Sequence, residues 1–160
     1  MLDFLQSLAK WLESTSLGTG IRTTGIYPFV QTLHFTGLSL WLGTNVIVDL
    51  RLLGVGNQRQ TAAELSRALW AWNWIAFALA VLGGFLLFSA TSTLYVANPA
   101  FQFKLGLLVP LALIWHLVVQ RRTETWGREA DAPAVAKISA LIEMLLWLCV
   151  VSAAVEIPSY

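Results

Sequence analysis

The sequence predicts an all-α integral membrane protein: a four-helix bundle preceded by an N-terminal interfacial amphipathic helix. Three observations carry the prediction. Hydrophobic residues make up 57% of the chain and charged residues 12%, roughly half the charged share of a soluble domain. The mean hydropathy is +0.67. The apolar residues fall into four blocks of about 20 residues or slightly more, the length that crosses a ~30 Å hydrocarbon core.

Residues 1–25 form the arm. Met1, Phe4, Leu5, Leu8, Trp11 and Leu12 recur at i, i+3, i+4 and i+7, while Asp3, Gln6, Ser7, Lys10 and Glu13 fill the opposite face. Such a segment is too short and too charged to span, and is expected to lie in the interface. Gly18 and Gly20 are expected to end it as a flexible joint. The arm lacks a basic start, a continuous apolar core and a small-residue cleavage site, so the first span is expected to act as its own insertion signal.

Residues 26–160 form the four-span domain. Span one runs over about 28–50, with Pro28 suited to a first helical turn. Span two covers about 69–89. Span three covers about 99–119 and opens at Asn98-Pro99, a cap followed by an N1 proline. Span four covers about 135–157, with Asp131 as its expected cap and Pro158 as its stop. The loops after spans one and three hold Arg51, Arg59, Arg67, Arg121, Arg122, Arg128 and Lys137, against Lys10, Arg22 and Lys104 elsewhere. Seven against three puts both loops in the cytoplasm and both termini in the periplasm of a bacterial inner membrane. Trp70, Trp72, Trp74, Trp115 and Trp126 would belt the inner boundary. The expected setting is a lipid bilayer, as a homo-oligomer or part of a larger membrane complex.

Several functions are excluded. The net charge is +1 and the ten Lys and Arg are scattered, which leaves no basic patch for nucleic acid. One cysteine, Cys149, allows no disulfide framework, and it reads as a small buried apolar residue. There is no Ser-His-Asp set in a polar loop, no phosphate-cradling glycine loop and no His pair at i, i+4 for zinc. No catalytic residue is assigned.

The informative residues are polar ones inside the spans. On a helix, His34, Leu38, Trp41, Asn45 and Asp49 share one stripe, with Gly37 and Val48 at its edge. That stripe should face the bundle interior. Gly37 and Gly43 would allow close helix approach, and the Gly83-Gly84 pair reads as another such contact. Asp49 is expected at the inner boundary, paired or anchored beside Arg51. Lys104 and Glu156, both near the outer side, are expected to pair or to snorkel singly. Glu143 shares a face with Ser139, Leu146, Trp147 and Val150 and is the best proton-carrying carboxylate, with a hydrogen bond to Asn73 as the alternative. Pro110 should kink span three and free the Gly106 carbonyl.

His34 and His116 are the only histidines, and both lie within spans. His34 falls roughly 9 Å below the outer surface and His116 about 5 Å from the inner end of span three, at 1.5 Å per residue. They are then roughly 15 Å apart along the normal of a ~30 Å core, too far to ligate one haem together.

The run His34-Phe-Thr-Gly, then Gly43, then Asp49-Leu-Arg-Leu-Leu-Gly54, with Gly83-Gly-Phe-Leu-Leu-Phe-Ser89 and Tyr95-x-x-Asn-Pro-Ala-Phe-x-x-Lys104, resembles a bacterial family of four-span membrane proteins of unknown function. That family is distantly similar to the membrane domains of CopD-type copper-resistance proteins and to haem-binding four-helix cytochromes b. The match covers about residues 27–120. Members often end in a Gly-Arg-aromatic segment, where this chain has Val155-Glu-Ile-Pro-Ser-Tyr160.

The resemblance implies that His34 matters. The first expectation is a b-type haem-binding redox subunit, with His34 as axial ligand, His116 as a possible second-site ligand, and Trp41 and Asn45 shaping the pocket. The alternatives are a non-catalytic structural or assembly protein, and a copper or small-solute handling protein. Two Met and one Cys count against a soft Cu(I) route.

Overall fold

The computed structural model describes residues 2–56, 59–129 and 131–155. Every regular element among them is helical. The chain runs through α1 (Leu2–Ser14), α2 (Ser16–Thr23), α3 (Tyr27–Leu52), α4 (Ala62–Ala90), α5 (Ser92–Ala97) and α6 (Pro99–Phe103). A π turn (Lys104–Leu108) then leads into α7 (Val109–Trp126), and α8 is Ala134–Val155.

Three stretches are long and apolar enough to cross a membrane: Ala62–Ala90, Pro99–Trp126 and Ala134–Ala154. At 26 residues, α3 has the length to span, but Gln31, His34, Asn45, Asp49 and its threonines dilute its apolarity and it is not among the three. α3 packs along α4, α4 on α7, α7 on α8, and α8 back on α3.

The arm departs from expectation. Thr15 caps a second helix, its hydroxyl accepting from the Gly18 amide at 3.2 Å. Gly18 is no joint: a Cβ there would lie 2.5 Å from the Ser89 carbonyl oxygen, so glycine is what lets α2 press against the end of α4. Arg22 donates to the Ala90 carbonyl (3.2 Å) and pairs with Glu13 (3.0 Å). Ser92 Oγ donates to the Ala9 carbonyl at 2.7 Å. The arm is clamped onto the C-terminal end of α4, while Phe4, Leu8 and Trp11 remain exposed, the apolar face an interfacial helix needs.

Helix ends also shift. Thr61 and Glu64 form a reciprocal capping box (2.8 and 3.2 Å), which starts α4 well before Leu69. Asn98 caps α6 as expected, accepting from the Phe101 amide at 3.1 Å. Asp131 holds Lys137 Nζ at 2.7 Å. Before Pro110 the helix widens into the π turn, with the Val109 amide reaching back to the Lys104 carbonyl. The wider turn relieves the clash a proline ring makes with the carbonyl one turn back.

Two small-residue expectations fail. Gly43 faces open space rather than a neighbouring helix, and Cys149 lies exposed on α8. The helix surface around Cys149 carries Leu145, Leu148 and Val151, also exposed, so this face is turned outward and is apolar apart from exposed Ser152.

Candidate functional site

α3 and α4 make the tightest contact. A Cβ at Gly37 would lie 2.5 Å from the Ala80 amide nitrogen, and one at Gly83 would lie 2.9 Å from His34 Cα. Both positions must be glycine for the backbones to meet at this separation. At the same level His34 Nδ1 donates to the Ala80 carbonyl at 2.7 Å. A carbonyl only accepts, so the proton sits on Nδ1 and the lone pair on Nε2.

The polar residues of this interface then form a ladder. Asn73 of α4 accepts from Trp41 Nε1 (3.2 Å) and donates to Thr44 Oγ1 (2.8 Å) and to Asn45 Oδ1. Trp41, Asn45 and Asp49 lie four residues apart along α3, roughly 6 Å per step, and all three are buried. The interior stripe expected for α3 is present from Gly37 to Asp49.

Opposite this ladder, α7 and α8 bring His116 and Glu143 together. His116 Nδ1 lies 2.6 Å from Glu143 Oε1, with His116 4% and Glu143 1% exposed. The hydrogen bond to Asn73, the alternative role for Glu143, is not made; Asn73 is taken up by α3 and the carboxyl by His116. The imidazole packs against Trp41 and Trp74, with ring centroids 5.7 and 6.0 Å away.

Asp49 overturns its expected role. It is 2% exposed and lines a cavity of about 20 Å³ together with Asn45, His116 and Glu143. Arg51 instead donates through Nε to the Gln60 carbonyl at 2.7 Å. Thr44, Ser66, Gln120 and Thr123 complete the polar wall, and among the described residues no Lys or Arg lines it. Ser66, Gln120 and Thr123 lie outside the hydropathy-defined spans, which is why they escape a sequence reading.

Four buried atoms on this wall have no hydrogen-bond partner: Asn45 Nδ2, Asp49 Oδ2, His116 Nε2 and Glu143 Oε2. Buried polar groups are nearly always satisfied, and a space of this size holds about one water.

The two histidines are kept apart. His116 sits beside Trp41, seven residues and roughly 10 Å along α3 from His34. Among the described residues, no group of three or more His, Cys, Asp or Glu could hold a metal ion. Around His116, about 20 Å³ is far below the roughly 300 Å³ of a small cofactor pocket, and haem does not fit there. At His34, Nε2 could ligate a metal while Ala80 orients the ring. Lys104 lies over the Phe101 ring at 5.9 Å, and its expected partner Glu156 lies outside the described residues.

No curated protein and no solved structure matches the chain. A family model described as a family of unknown function, DUF6644, matches residues 8–158, and the chain belongs to that family.

Proposed function

We propose that this is a four-span protein of the bacterial inner membrane that binds and releases protons at a buried carboxyl–imidazole centre, Asp49–His116–Glu143. In this reading α3 is the fourth span, its polar stripe turned inward, and both termini are periplasmic. The observation that carries it is the 2.6 Å His116–Glu143 contact in a cavity shared with Asp49 and lined, among the described residues, by no Lys or Arg. A buried site cannot hold two carboxylates without compensation, and ionisable groups at such depth mark proton relays. Trp41, Asn45 and Asn73 fix the walls.

A pH jump on protein in lipid nanodiscs, followed with a pH dye, tests the reading. Wild-type protein should take up protons that Glu143→Gln and Asp49→Asn protein does not. Equal uptake in all three would overturn it.

A second reading, a b-type haem subunit related to cytochrome b or CopD-like proteins, is favoured by one observation. His34 donates through Nδ1 to a backbone carbonyl, the arrangement that orients metal-ligating histidines. A Soret band lost in His34→Ala would support it, and colourless folded protein purified from haem-replete cells would remove it.

A further inference from the structure

We propose that the cavity is a water-filled half-channel, open at the Trp70–Gln120 rim on the half of the bundle nearest the basic loops and closed toward the other face by Trp41. What it delivers rests on the proton-binding reading; its shape does not.

The occupant follows from the unpartnered atoms. Asn45 Nδ2 is a donor, whereas Asp49 Oδ2, if ionised, accepts, and His116 Nε2 and Glu143 Oε2 take either role with their proton. Water both donates and accepts, it fits about 20 Å³, and it needs the two to four polar partners present here. A metal ion is disfavoured because the carboxyl and imidazole groups do not converge on one point.

The direction follows from the order of residues along the helices. Asp49 lies one turn beyond Asn45 toward the α3 C-terminus, and Ser66 and Thr123 line the same end. Past that end the Ala63 amide donates to the Gly127 carbonyl at 3.0 Å and buried Leu52, Ala62, Ala132 and Ala136 pack the bundle shut, beside the helix ends that carry Arg51, Arg121 and Arg122 and the loop that carries Arg128. Half-buried Gln120 and exposed Trp70 form the rim.

In the other direction the path stops. Trp41 packs on Trp147 (4.4 Å between centroids), Phe77 (4.8 Å) and His116 (5.7 Å), with buried Ala76 and Ala112 filling the gaps. Beyond this plug, Gly37 meets Ala80 and Gly83 meets His34 with no room for a methyl group. The entrance therefore lies at the Trp70–Gln120 rim and His116–Glu143 at the blind end, with buried Asp49 lining the space between them.

Silver ion, a thiol-reactive cation close to water in size, tests the geometry in a Cys149→Ser background. Ser66 and Ala76 are both buried and ten residues apart on α4; only Ser66 lines the cavity. Ag⁺ is added to right-side-out or inverted vesicles, and protection from later alkylation is read by mass spectrometry. Ser66→Cys should be protected only when Ag⁺ is on the basic-loop side, and Ala76→Cys from neither side. Protection of Ala76→Cys from the opposite face, or of Ser66→Cys from that face or from neither, would overturn the half-channel. If Ala76→Cys does not assemble, Thr123→Cys (cavity) and Ala112→Cys (plug) make the same comparison on α7. Loss of proton uptake with this labelling pattern intact would instead refute the proton-binding reading and leave the half-channel standing.

Discussion

Replacing Gly37 by alanine puts a methyl group where Ala80 already is. Its Cβ would fall 2.5 Å from the Ala80 nitrogen, 2.9 Å from its Cα and 3.0 Å from the Ala76 carbonyl oxygen. Non-bonded heavy atoms rest at roughly 3.5–4.0 Å, so α3 and α4 must part by about 1 Å. All three atoms are helix backbone, which cannot swing aside. The same displacement takes the 2.7 Å His34–Ala80 bond past useful length and loosens the Trp41–Asn73 contact below it. Overpacking of this kind costs about 1–3 kcal/mol, with about 1 kcal/mol more for a lost hydrogen bond. The control lies on the same helix: a Cβ at Gly43 meets nothing within 4 Å, so Gly43→Ala should be neutral or gain about 0.5–1 kcal/mol in helix propensity. Reversible SDS unfolding in mixed micelles, read by circular dichroism, measures both. Gly37→Ala as stable as wild type, or Gly43→Ala equally destabilised, would refute the packing account.

Other expectations follow from the same contacts. His116→Ala leaves the Glu143 carboxyl buried without its partner, and loss of one member of a buried pair costs about 3–5 kcal/mol. His116→Leu combined with Glu143→Leu should recover most of that loss in the same unfolding assay, and a double variant no better than His116→Ala would count against the pair. At the arm, Glu13 accepts from the Thr93 hydroxyl (2.6 Å) and amide (3.2 Å). These bonds, the hydroxyl foremost, hold its carboxyl below the ordinary 4.5, with a smaller contribution from Arg22 and opposition from partial burial. Because the folded value is the lower one, this stabilisation is fully present above about 4.5 and is lost as pH falls through the folded value. Lys10 and Arg22 flank the same surface. Arm release below pH 4.5, followed by limited proteolysis with an acid-active protease, should disappear as a pH-dependent event in Glu13→Gln. A pH response that persists in the variant would sink the assignment.

Much of this architecture is legible in the chain. The i, i+4 stripe from Trp41 to Asp49, the Asn98 cap and the small-residue contacts at Gly37 and Gly83 all follow from helical spacing. The His116–Glu143 pair is harder to read because hydropathy ends span three near Val119, where Gln120, Arg121 and Arg122 begin. The helix continues to Trp126, since basic residues propagate a helix well and only lower its apolarity. With the true ends, His116 lies ten residues before the close of α7 and Glu143 nine after the start of α8, level across an antiparallel hairpin. Asp49 is misread for the same reason: its neighbour Arg51 makes it look like a boundary residue, whereas α3 runs on to Leu52 and turns the carboxyl inward. Gly18 and Cys149 show the limit of residue habit, since neither the close approach of α2 to Ser89 nor an apolar face turned outward is written in local sequence.

The central claim is that Asp49 and Glu143 exchange protons inside the membrane domain. Infrared difference spectra of lipid-reconstituted protein between acidic and alkaline buffer report this directly through the carboxylic C=O stretch of buried acids. The account predicts a pH-dependent band that loses intensity in Asp49→Asn and again in Glu143→Gln, and shifts in His116→Ala. A spectrum without such a band, or one unchanged by all three substitutions in folded protein, would contradict it.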